Sequence, residues 1–214
     1  MHQPHLLVLA KSPVPGRAKT RLSPPLSPTE AAAVAEASLA DTLEAVAATG
    51  VERKILALQG PIGPWLPSGF EVIEQVEGSL NDRLAAAWGY AGGPGLQIGM
   101  DTPQVTPSLL EEALSTLLDQ SWDAVLGLAE DGGWWGIGMR EPSPAVFVGV
   151  TMSCSDTGIQ QLESLRSLGH RVAMLPGARD IDNFGDARAV AGLIPGSRTA
   201  DVVKAFTQGG GDSP

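Results

Sequence analysis

The chain has 214 residues, a formal net charge of −10, one cysteine and three histidines. This length fits one α/β domain, which buries about 70% of the surface that its unfolded chain would expose. A single cysteine, Cys154, excludes an intramolecular disulfide and a cysteine-based zinc cluster, and the histidines have no metal-ligand spacing. The negative net charge disfavours binding of DNA or RNA polymers.

The first predicted element is a buried strand at residues 6–10, a run of five apolar residues. The run is too short for the core of a signal peptide and for a membrane span. We therefore expect a cytoplasmic protein that does not bind membranes. The oligomeric state stays open, with a homodimer as one alternative.

A basic loop, residues 11–22, follows this strand and reads Lys-Ser-Pro-Val-Pro-Gly-Arg-Ala-Lys-Thr-Arg-Leu. The first 29 residues carry four bases and no acid, whereas the remainder of the chain has a balance of −14. Gly16 permits a sharp turn, and an extended backbone would place Arg17, Lys19 and Arg21 on one side.

Two interpretations of the basic loop are open. A loop that joins the first strand to the first helix lies at the carboxyl edge of an α/β sheet, where such folds bind ligands, so it is a candidate phosphate site. The alternative is a solvated charge cluster with no ligand. The spacing of a Walker loop is absent.

Apolar strands and amphipathic helices alternate along the rest of the chain, a pattern typical of a sheet covered by helices. Proline at the first helical position of Ser27-Pro28-Thr29-Glu30 marks a helix start. Helices are predicted at residues 28–48, 79–90, 107–118, 157–168 and 186–193. Strands are predicted at residues 54–58, 71–76, 96–100, 124–129, 134–139, 146–150 and 171–175. We therefore predict a three-layer α/β/α fold with a mainly parallel mixed sheet in one domain, residues 1–206, and a disordered tail at residues 207–214.

Asp101 stands directly after the apolar strand at residues 96–100 and before Thr102 and Pro103. A carboxylate at this position points into the crevice above the sheet, where it can hold Mg²⁺ against phosphate oxygens. Asp-x-Pro is also a common turn start or cap, and the sequence leaves both roles open.

A second acidic segment, Asp180-Ile181-Asp182-Asn183, follows the last predicted strand. Alternation would aim Asp180 and Asp182 to the same side and supply a further metal ligand near Asp101. The competing interpretation is that Asp182 or Asn183 caps the last helix.

The connection at residues 130–133, Glu-Asp-Gly-Gly, is hairpin-like and precedes Trp134 and Trp135. Its two glycines predict a tight turn with close backbone approach. The tryptophans could stack on a base or a sugar ring. Alternation sends the two rings to opposite faces, so at least one is expected in the core.

The segment at residues 153–158, Ser-Cys-Ser-Asp-Thr-Gly, precedes a predicted helix. Its hydroxyl and amide groups can bind a substrate anion, or Ser155 or Asp156 can act as a plain N-cap. Cys154 is not expected to be a nucleophile, because no histidine is near it in sequence.

Five segments together resemble the signatures of one bacterial family: residues 11–22, 99–103, 131–135, 155–158 and 179–183. The family comprises the GT-A-like transferases known as radical-SAM/selenodomain-associated transferases or arsenosugar-biosynthesis glycosyltransferases. It is similar in turn to 2-phospholactate guanylyltransferase and molybdenum-cofactor guanylyltransferase. The resemblance extends to about residue 193 and implies the nucleotide-diphospho-sugar transferase fold.

The resemblance also implies roles for individual residues. Nucleotide phosphates would be held by Lys11, Gly16, Arg17, Lys19, Thr20 and Arg21. Asp101 and Asp182 would bind Mg²⁺ or Mn²⁺, with Lys19 and Asp101 as the catalytic residues. The acceptor would be bound by Asp131, Gly132, Gly133, Trp134, Ser155 and Thr157.

The chain departs from the family pattern at four positions. The family more often has serine at Met100, tyrosines at Trp134 and Trp135, and threonine at Asn183. These changes retain the groups expected to hold metal and phosphate, and they put the acceptor pocket in question.

Three functions fit these residues. In nucleotidyl transfer, an acceptor phosphate or phosphonate attacks the α-phosphorus of an NTP and pyrophosphate leaves. In glycosyl transfer, the donor in the same cleft is an NDP-sugar. A non-catalytic nucleotide-binding module is the third. We favour the first, because Asp-x-Pro resembles the nucleotidyltransferase branch more than the Asp-x-Asp of many sugar transferases.

Overall fold

The computed structural model describes residues 3–209 and contains a seven-stranded mixed sheet. The strands are β1 (His5–Lys11), β2 (Arg53–Gln59), β3 (Phe70–Glu74), β4 (Gly95–Ile98), β5 (Ala124–Ala129), β6 (Trp134–Met139) and β7 (Val172–Ala178). Their order in the sheet is β3-β2-β1-β4-β6-β5-β7. Strand β6 runs antiparallel to both of its neighbours, and the other pairs are parallel. The predicted mainly parallel mixed sheet is confirmed.

Helices cover both faces of this sheet. Within residues 3–209 they are α1 (Pro28–Ala47), α2 (Leu80–Ala91), α3 (Pro107–Leu118), α4 (Thr157–Ser167), α5 (Phe184–Leu193) and α6 (Arg198–Gly209). None of these helices combines the length and the apolar character that a membrane crossing requires.

The core is divided between the two faces of the sheet. Leu43 of α1 and Leu114 of α3 are buried against one face, and Trp88 of α2 and Leu165 of α4 against the other. A third cluster packs α5 and α6 against the first half of α1 through Val190, Val203 and other apolar side chains. The three-layer α/β/α prediction is confirmed, with α5 and α6 as an addition to one layer.

The start of α1 follows the predicted signal. The Ser27 side chain accepts a hydrogen bond from the backbone N–H of Glu30, and the Glu30 carboxylate accepts one from the backbone N–H of Ser27. Pro28 occupies the first helical position. Since this reciprocal cap satisfies two backbone donors, it holds one end of the loop that joins β1 to α1.

Three local predictions require correction or qualification. Residues 146–150 do not form a strand, because Pro144–Phe147 is a 3₁₀ turn that buries Val146 and Phe147. Helix α6 lies beyond the last predicted helix. It extends through residues 207–209, where the predicted tail begins, and residues 210–214 of that tail lie outside the described part of the chain.

Candidate active site

Four loops meet at one edge of the sheet. They follow β1, β4 and β7, whose carboxyl ends point to this edge, and they include the turn between β5 and β6. The backbone N–H of Ile181 donates to the backbone oxygen of Asp101 at 2.9 Å, so the segments after β4 and β7 are joined directly. The two acidic segments therefore lie side by side, although β6 and β5 separate their strands in the sheet.

Lys19 is the centre of this edge. Its Nζ atom lies 2.7 Å from Oδ2 of Asp101 and 3.3 Å from Oδ1 of Asp182, and its side chain is only 13% exposed. Burial disfavours its charged form, but the negative charges of Asp101, Asp182 and Asp180 outweigh that cost and raise the pKa of Lys19. The lysine therefore stays charged among the carboxylates at every pH of interest.

The backbone of the basic loop turns instead of extending. The N–H groups of Arg17 and Ala18 both donate to the backbone oxygen of Val14, and Thr20–Leu22 is a 3₁₀ turn. The backbone of Lys19 itself has a φ of +47°, in the left-handed region that non-glycine residues rarely adopt.

The extended backbone assumed for the three bases is therefore absent, yet Arg17, Lys19 and Arg21 all line one hollow, which is described below. Lys19 is nearly buried, Arg17 is exposed without an ion pair among residues 3–209, and Arg21 is 71% exposed. Arg21 still reaches the site, because its Nη1 atom lies 3.1 Å from Oδ2 of Asp182.

The carboxylates of Asp101, Asp180 and Asp182 form a cluster whose ligand oxygens lie within 4.8 Å of one another. Burial, followed by the charges of Asp101 and Asp131, raises the pKa of Asp180 to about 7. Alternation explains the arrangement: Ile181 is buried, so its two neighbours face away from the core together. Asp180, which sequence reasoning offered only as an extra ligand, is a full member of the cluster.

The capping alternatives are divided between different residues. Asn183 is the N-cap of α5, because its side chain accepts from the backbone N–H of Asp186 while the Asp186 carboxylate accepts in return. Asp182 is thus not needed as a cap. Within residues 3–209, no backbone N–H donates to the Asp101 carboxylate either, and its partner is Lys19.

The turn between β5 and β6 packs closely on the start of α4. The backbone N–H of Gly158 donates to the oxygen of Gly132 at 2.8 Å, and Gly132 has a φ of +93°. A Cβ atom on Gly132 would lie 1.9 Å from the backbone oxygen of Ser155. The Asp131 carboxylate accepts from the N–H of Gly133 at 2.7 Å and closes the turn. The close approach expected of these glycines is present in the structure.

The two tryptophans after this turn face opposite ways. Trp135 is in the core, and its indole nitrogen donates to the backbone oxygen of Pro176 at 2.9 Å. Trp134 is half-buried and lines the cavity described below. This is the division that strand alternation predicts.

The loop before α4 is held by its own hydrogen bonds. Thr157 is buried, and its hydroxyl contacts the backbone oxygen of Thr151 at 2.8 Å and accepts from the backbone N–H of Cys154. Asp156 occupies the N-cap position of α4, as one interpretation predicted, but its side chain makes no capping hydrogen bond. Ser155 is exposed, and Cys154 is half-buried beside the cavity.

A cavity of about 490 Å³ opens between these loops. One side is charged and is lined by Arg21, Asp101, Asp131, Asp180 and Asp182. Apolar side chains also line the cavity, and Leu9, Leu84, Trp134 and Met152 among them pack against the core cluster under α2. Leu80 and the amide of Gln97 line it as well. The cavity thus offers both charged and apolar surface at the same sheet edge.

A hollow of about 330 Å³ adjoins the charged side. The predicted phosphate-binding residues that line it are Lys11, Arg17, Lys19, Thr20 and Arg21. It shares Asp101, Asp182, Met100, Ser153 and Arg21 with the main cavity. Lys19 and Ser153 are the two non-glycine residues within residues 3–209 that have a positive φ, and both border this hollow.

Comparison with known families gives one match. The family model described as "Uncharacterized protein conserved in bacteria (DUF2064)" matches residues 31–154. The matched segment includes Asp101, Trp134 and the turn between β5 and β6, and the basic loop and Asp182 lie outside it. No curated protein matches the chain in sequence.

Solved structures share the fold. A Desulfovibrio desulfuricans protein named "putative nucleotide-diphospho-sugar transferase" aligns over 97% of this chain and 96% of its own, with 24% identity and a TM-score of 0.86. A cytidylyltransferase from Leptospira borgpetersenii aligns over 100% and 99%, with 11% identity and a TM-score of 0.55. CMP:2-keto-3-deoxy-manno-octonic acid synthetase, complexed with CTP, aligns over 97% and 99%, with 12% identity and a TM-score of 0.54. The chain therefore has the nucleotide-diphospho-sugar transferase, GT-A-like fold.

Proposed function

This chain belongs to the DUF2064 family, and we propose that it is a metal-dependent transferase that moves a nucleotidyl group from an NTP to a small phosphorylated acceptor and releases pyrophosphate. The observation that carries the proposal is the contact of Lys19 with both Asp101 and Asp182. It joins a cationic loop to a carboxylate cluster at the mouth of one cavity. A metal-bound triphosphate needs both kinds of group at the same place.

The carboxylate cluster fits a divalent cation by its donors. Mg²⁺ and Mn²⁺ prefer hard oxygen ligands, and Asp101, Asp180 and Asp182 offer three within 4.8 Å of one another. We propose Asp101 and Asp182 as ligands, with Asp180 as a third. When bound, the cation would neutralise charge on the phosphates and on the departing pyrophosphate.

The basic loop would hold the phosphates. A lysine ammonium has three N–H donors, and two of those of Lys19 are directed at Asp101 and Asp182, which leaves one for a phosphate oxygen. Arg21, Arg17, Lys11 and Thr20 line the adjoining hollow, and Gly16 lies in the same loop. We assign these residues to phosphate binding and Lys19 to charge stabilisation during transfer.

The acceptor would enter beside the turn between β5 and β6. Asp131, Gly133, Trp134, Ser155 and Thr157 line the main cavity there, and Gly132 brings the turn against the loop before α4. An acceptor phosphate oxygen at this position would attack the α-phosphorus of the NTP, and the P–O bond to the pyrophosphate would break. The names of the cytidylyltransferase and synthetase neighbours support transfer of this kind.

Glycosyl transfer from an NDP-sugar is the second candidate, since the neighbour with a TM-score of 0.86 carries a nucleotide-diphospho-sugar transferase name. The same cleft would hold the diphosphate, and the sugar would take the place of the terminal phosphates. Within DUF2064, we also propose kinship with the radical-SAM/selenodomain-associated transferases on the motifs given above. A non-catalytic nucleotide binder is the third candidate.

A screen of NTPs and NDP-sugars with Mg²⁺ and Mn²⁺ tests these candidates. Thermal shift identifies the ligand, and release of pyrophosphate or of nucleoside diphosphate then identifies the reaction. We expect NTPs to stabilise the protein and pyrophosphate to appear when an acceptor phosphate is supplied. Stabilisation by NDP-sugars but never by NTPs would overturn the first candidate in favour of the second, and affinity without any product would favour a binding module.

A further inference from the structure

Gln97 is a polar residue in the middle of the apolar strand β4. It is 1% exposed, and its neighbours Leu96 and Ile98 are buried on the opposite face of the sheet, against α1 and α3. Its side chain therefore lies on the face covered by α2. A buried amide in such a strand is costly unless its hydrogen-bonding groups have partners.

The orientation of the Gln97 amide is determined by Trp88. The indole Nε1–H of Trp88 donates to Oε1 of Gln97 at 2.8 Å. An indole nitrogen can only donate, so the amide oxygen must face Trp88 and the amide nitrogen must face away. No acceptor for Nε2 of Gln97 is found within residues 3–209. Gln97 lines the main cavity, so its N–H groups are available to a ligand there.

The surroundings of this amide indicate the chemistry of that ligand. Leu9, Leu84 and Met152 line the same cavity and pack against the core cluster that contains Trp88. Among the described residues, the cavity has one cationic lining residue, Arg21, and it pairs with Asp182. A phosphate or carboxylate would be left uncompensated at this position. An uncharged ring with a hydrogen-bond acceptor would bury apolar surface and pair with the amide.

We propose that Gln97 determines nucleobase specificity by donating a hydrogen bond from Nε2 to a carbonyl oxygen of the donor's base. This inference rests on the proposed function, in which the uncharged ring of the ligand is the base of a nucleotide. Guanine and uracil present a carbonyl oxygen where adenine presents an amino group. GTP and UTP should therefore bind more tightly than ATP.

The size of the preference follows from the pairing of the amide. Against an amino group, the buried N–H of Gln97 would meet another donor and stay unpaired. Leaving one buried polar group without a partner costs about 1–3 kcal/mol, which corresponds to about 5- to 150-fold in affinity. We expect ATP to bind more weakly than GTP and UTP by a factor in this range.

The test measures dissociation constants of GTP, UTP and ATP with Mg²⁺ by calorimetry, for the natural protein and two variants. Gln97→Met removes the donor at similar length, so it should weaken GTP and UTP by about tenfold, and it should strengthen ATP because no buried N–H is then left unpaired against the amino group. Trp88→Phe removes the group that orients the amide, so the amide can turn its oxygen to the cavity. ATP should then bind more tightly and the discrimination should narrow. Gln208→Met, an exposed glutamine on α6, is the matched control.

The outcomes separate this inference from the proposed function. If the natural protein binds nucleotides but holds ATP as tightly as GTP and UTP, Gln97 does not read the base and the proposed function stands. If it binds neither these three nor CTP, the proposed function itself fails. The order of the GTP, UTP and ATP affinities of the natural protein tests the inference even where a variant does not fold. Melting curves by circular dichroism show whether each variant is folded.

Discussion

The ammonium of Lys19 and the carboxylate of Asp101 lie 2.7 Å apart, although 82 positions of sequence separate the two residues. The contact joins the loop after β1 to the end of β4, and Asp182, after β7, completes it. Both acidic partners are partly exposed, so they can be changed without opening the core. The proposed site can therefore be tested residue by residue.

Asp101→Asn tests the metal-binding role. We expect metal-dependent turnover to fall by about 100-fold or more, because the site loses a charge that faces the transferring phosphates. The asparagine side chain still offers an oxygen to Lys19, and Asp182 keeps its charge beside the ammonium, so the protein should still fold, with a loss of about 1–3 kcal/mol in the free energy of unfolding. Pyrophosphate release and urea unfolding measure the two effects, with Asp201→Asn on α6 as the control. Unchanged turnover would remove Asp101 from the site.

Lys19→Ala tests the phosphate-binding role. A charged hydrogen bond is worth about 1.5–3 kcal/mol, so nucleotide affinity should fall by that amount. Lys204→Ala makes the same substitution at an exposed lysine on α6, and it should leave the nucleotide affinity unchanged. Calorimetric titration with nucleotide and Mg²⁺ compares the two. Equal affinities of Lys19→Ala and the natural protein would assign Lys19 to a structural ion pair alone.

Part of this site could be predicted because loops that follow parallel strands lie at the same edge of the sheet. Asp101 and Asp182 each follow a strand, and carboxyl ends of parallel strands meet at one edge. The environment of Lys19 could not be predicted, because it depends on a left-handed backbone at that residue and on a turn closed by Val14. Alternation assumes an extended chain, and the loop is not extended.

The same distinction applies to the fold. Helix α1 could be predicted from Ser27, Pro28 and Glu30, because a capping box acts over one turn. Residues 146–150 form an apolar run that predicts a strand, yet Val148 is 76% exposed and the segment bends to bury Val146 under α2. Gln97 is an isolated polar residue in an apolar strand. Its role could not be predicted, because it depends on the contact with Trp88 and on the cavity, which only the folded structure shows.

Gly132→Ala tests the close approach of the turn between β5 and β6 to the loop before α4. The new Cβ would lie 1.9 Å from the backbone oxygen of Ser155, and backbone cannot move aside as a side chain can. Gly169 has a similar φ, +87°, and nothing lies near its Cβ position, so Gly169→Ala carries the backbone strain alone. We expect Gly132→Ala to cost about 1–3 kcal/mol more than Gly169→Ala. Urea unfolding of the two variants gives the difference, and equal losses would contradict the steric account.

His5 makes stability depend on pH. It is fully buried in β1 against the ring of Trp88, and burial, helped by the charge of Arg53, lowers its pKa from 6.5 to about 4. The unfolded chain takes up a proton at pH 6.5, whereas the folded protein does so only near pH 4. Above pH 6.5 the histidine is neutral in both states and does not lower the free energy of unfolding. As the pH falls from 6.5 to 4, the free energy of unfolding decreases. The full loss is about 3 kcal/mol.

His5→Leu isolates this effect, because leucine has no proton to gain. Asp180, whose pKa is raised to about 7, acts with the opposite sign, since its protonation on acidification relieves repulsion in the folded protein. That contribution is common to both proteins and cancels in their difference. Between pH 7 and pH 4.5, the natural protein should lose about 2–3 kcal/mol more than His5→Leu in urea unfolding. His170→Leu should follow the natural protein, and parallel pH profiles of His5→Leu and the natural protein would show that His5 does not control the acid sensitivity.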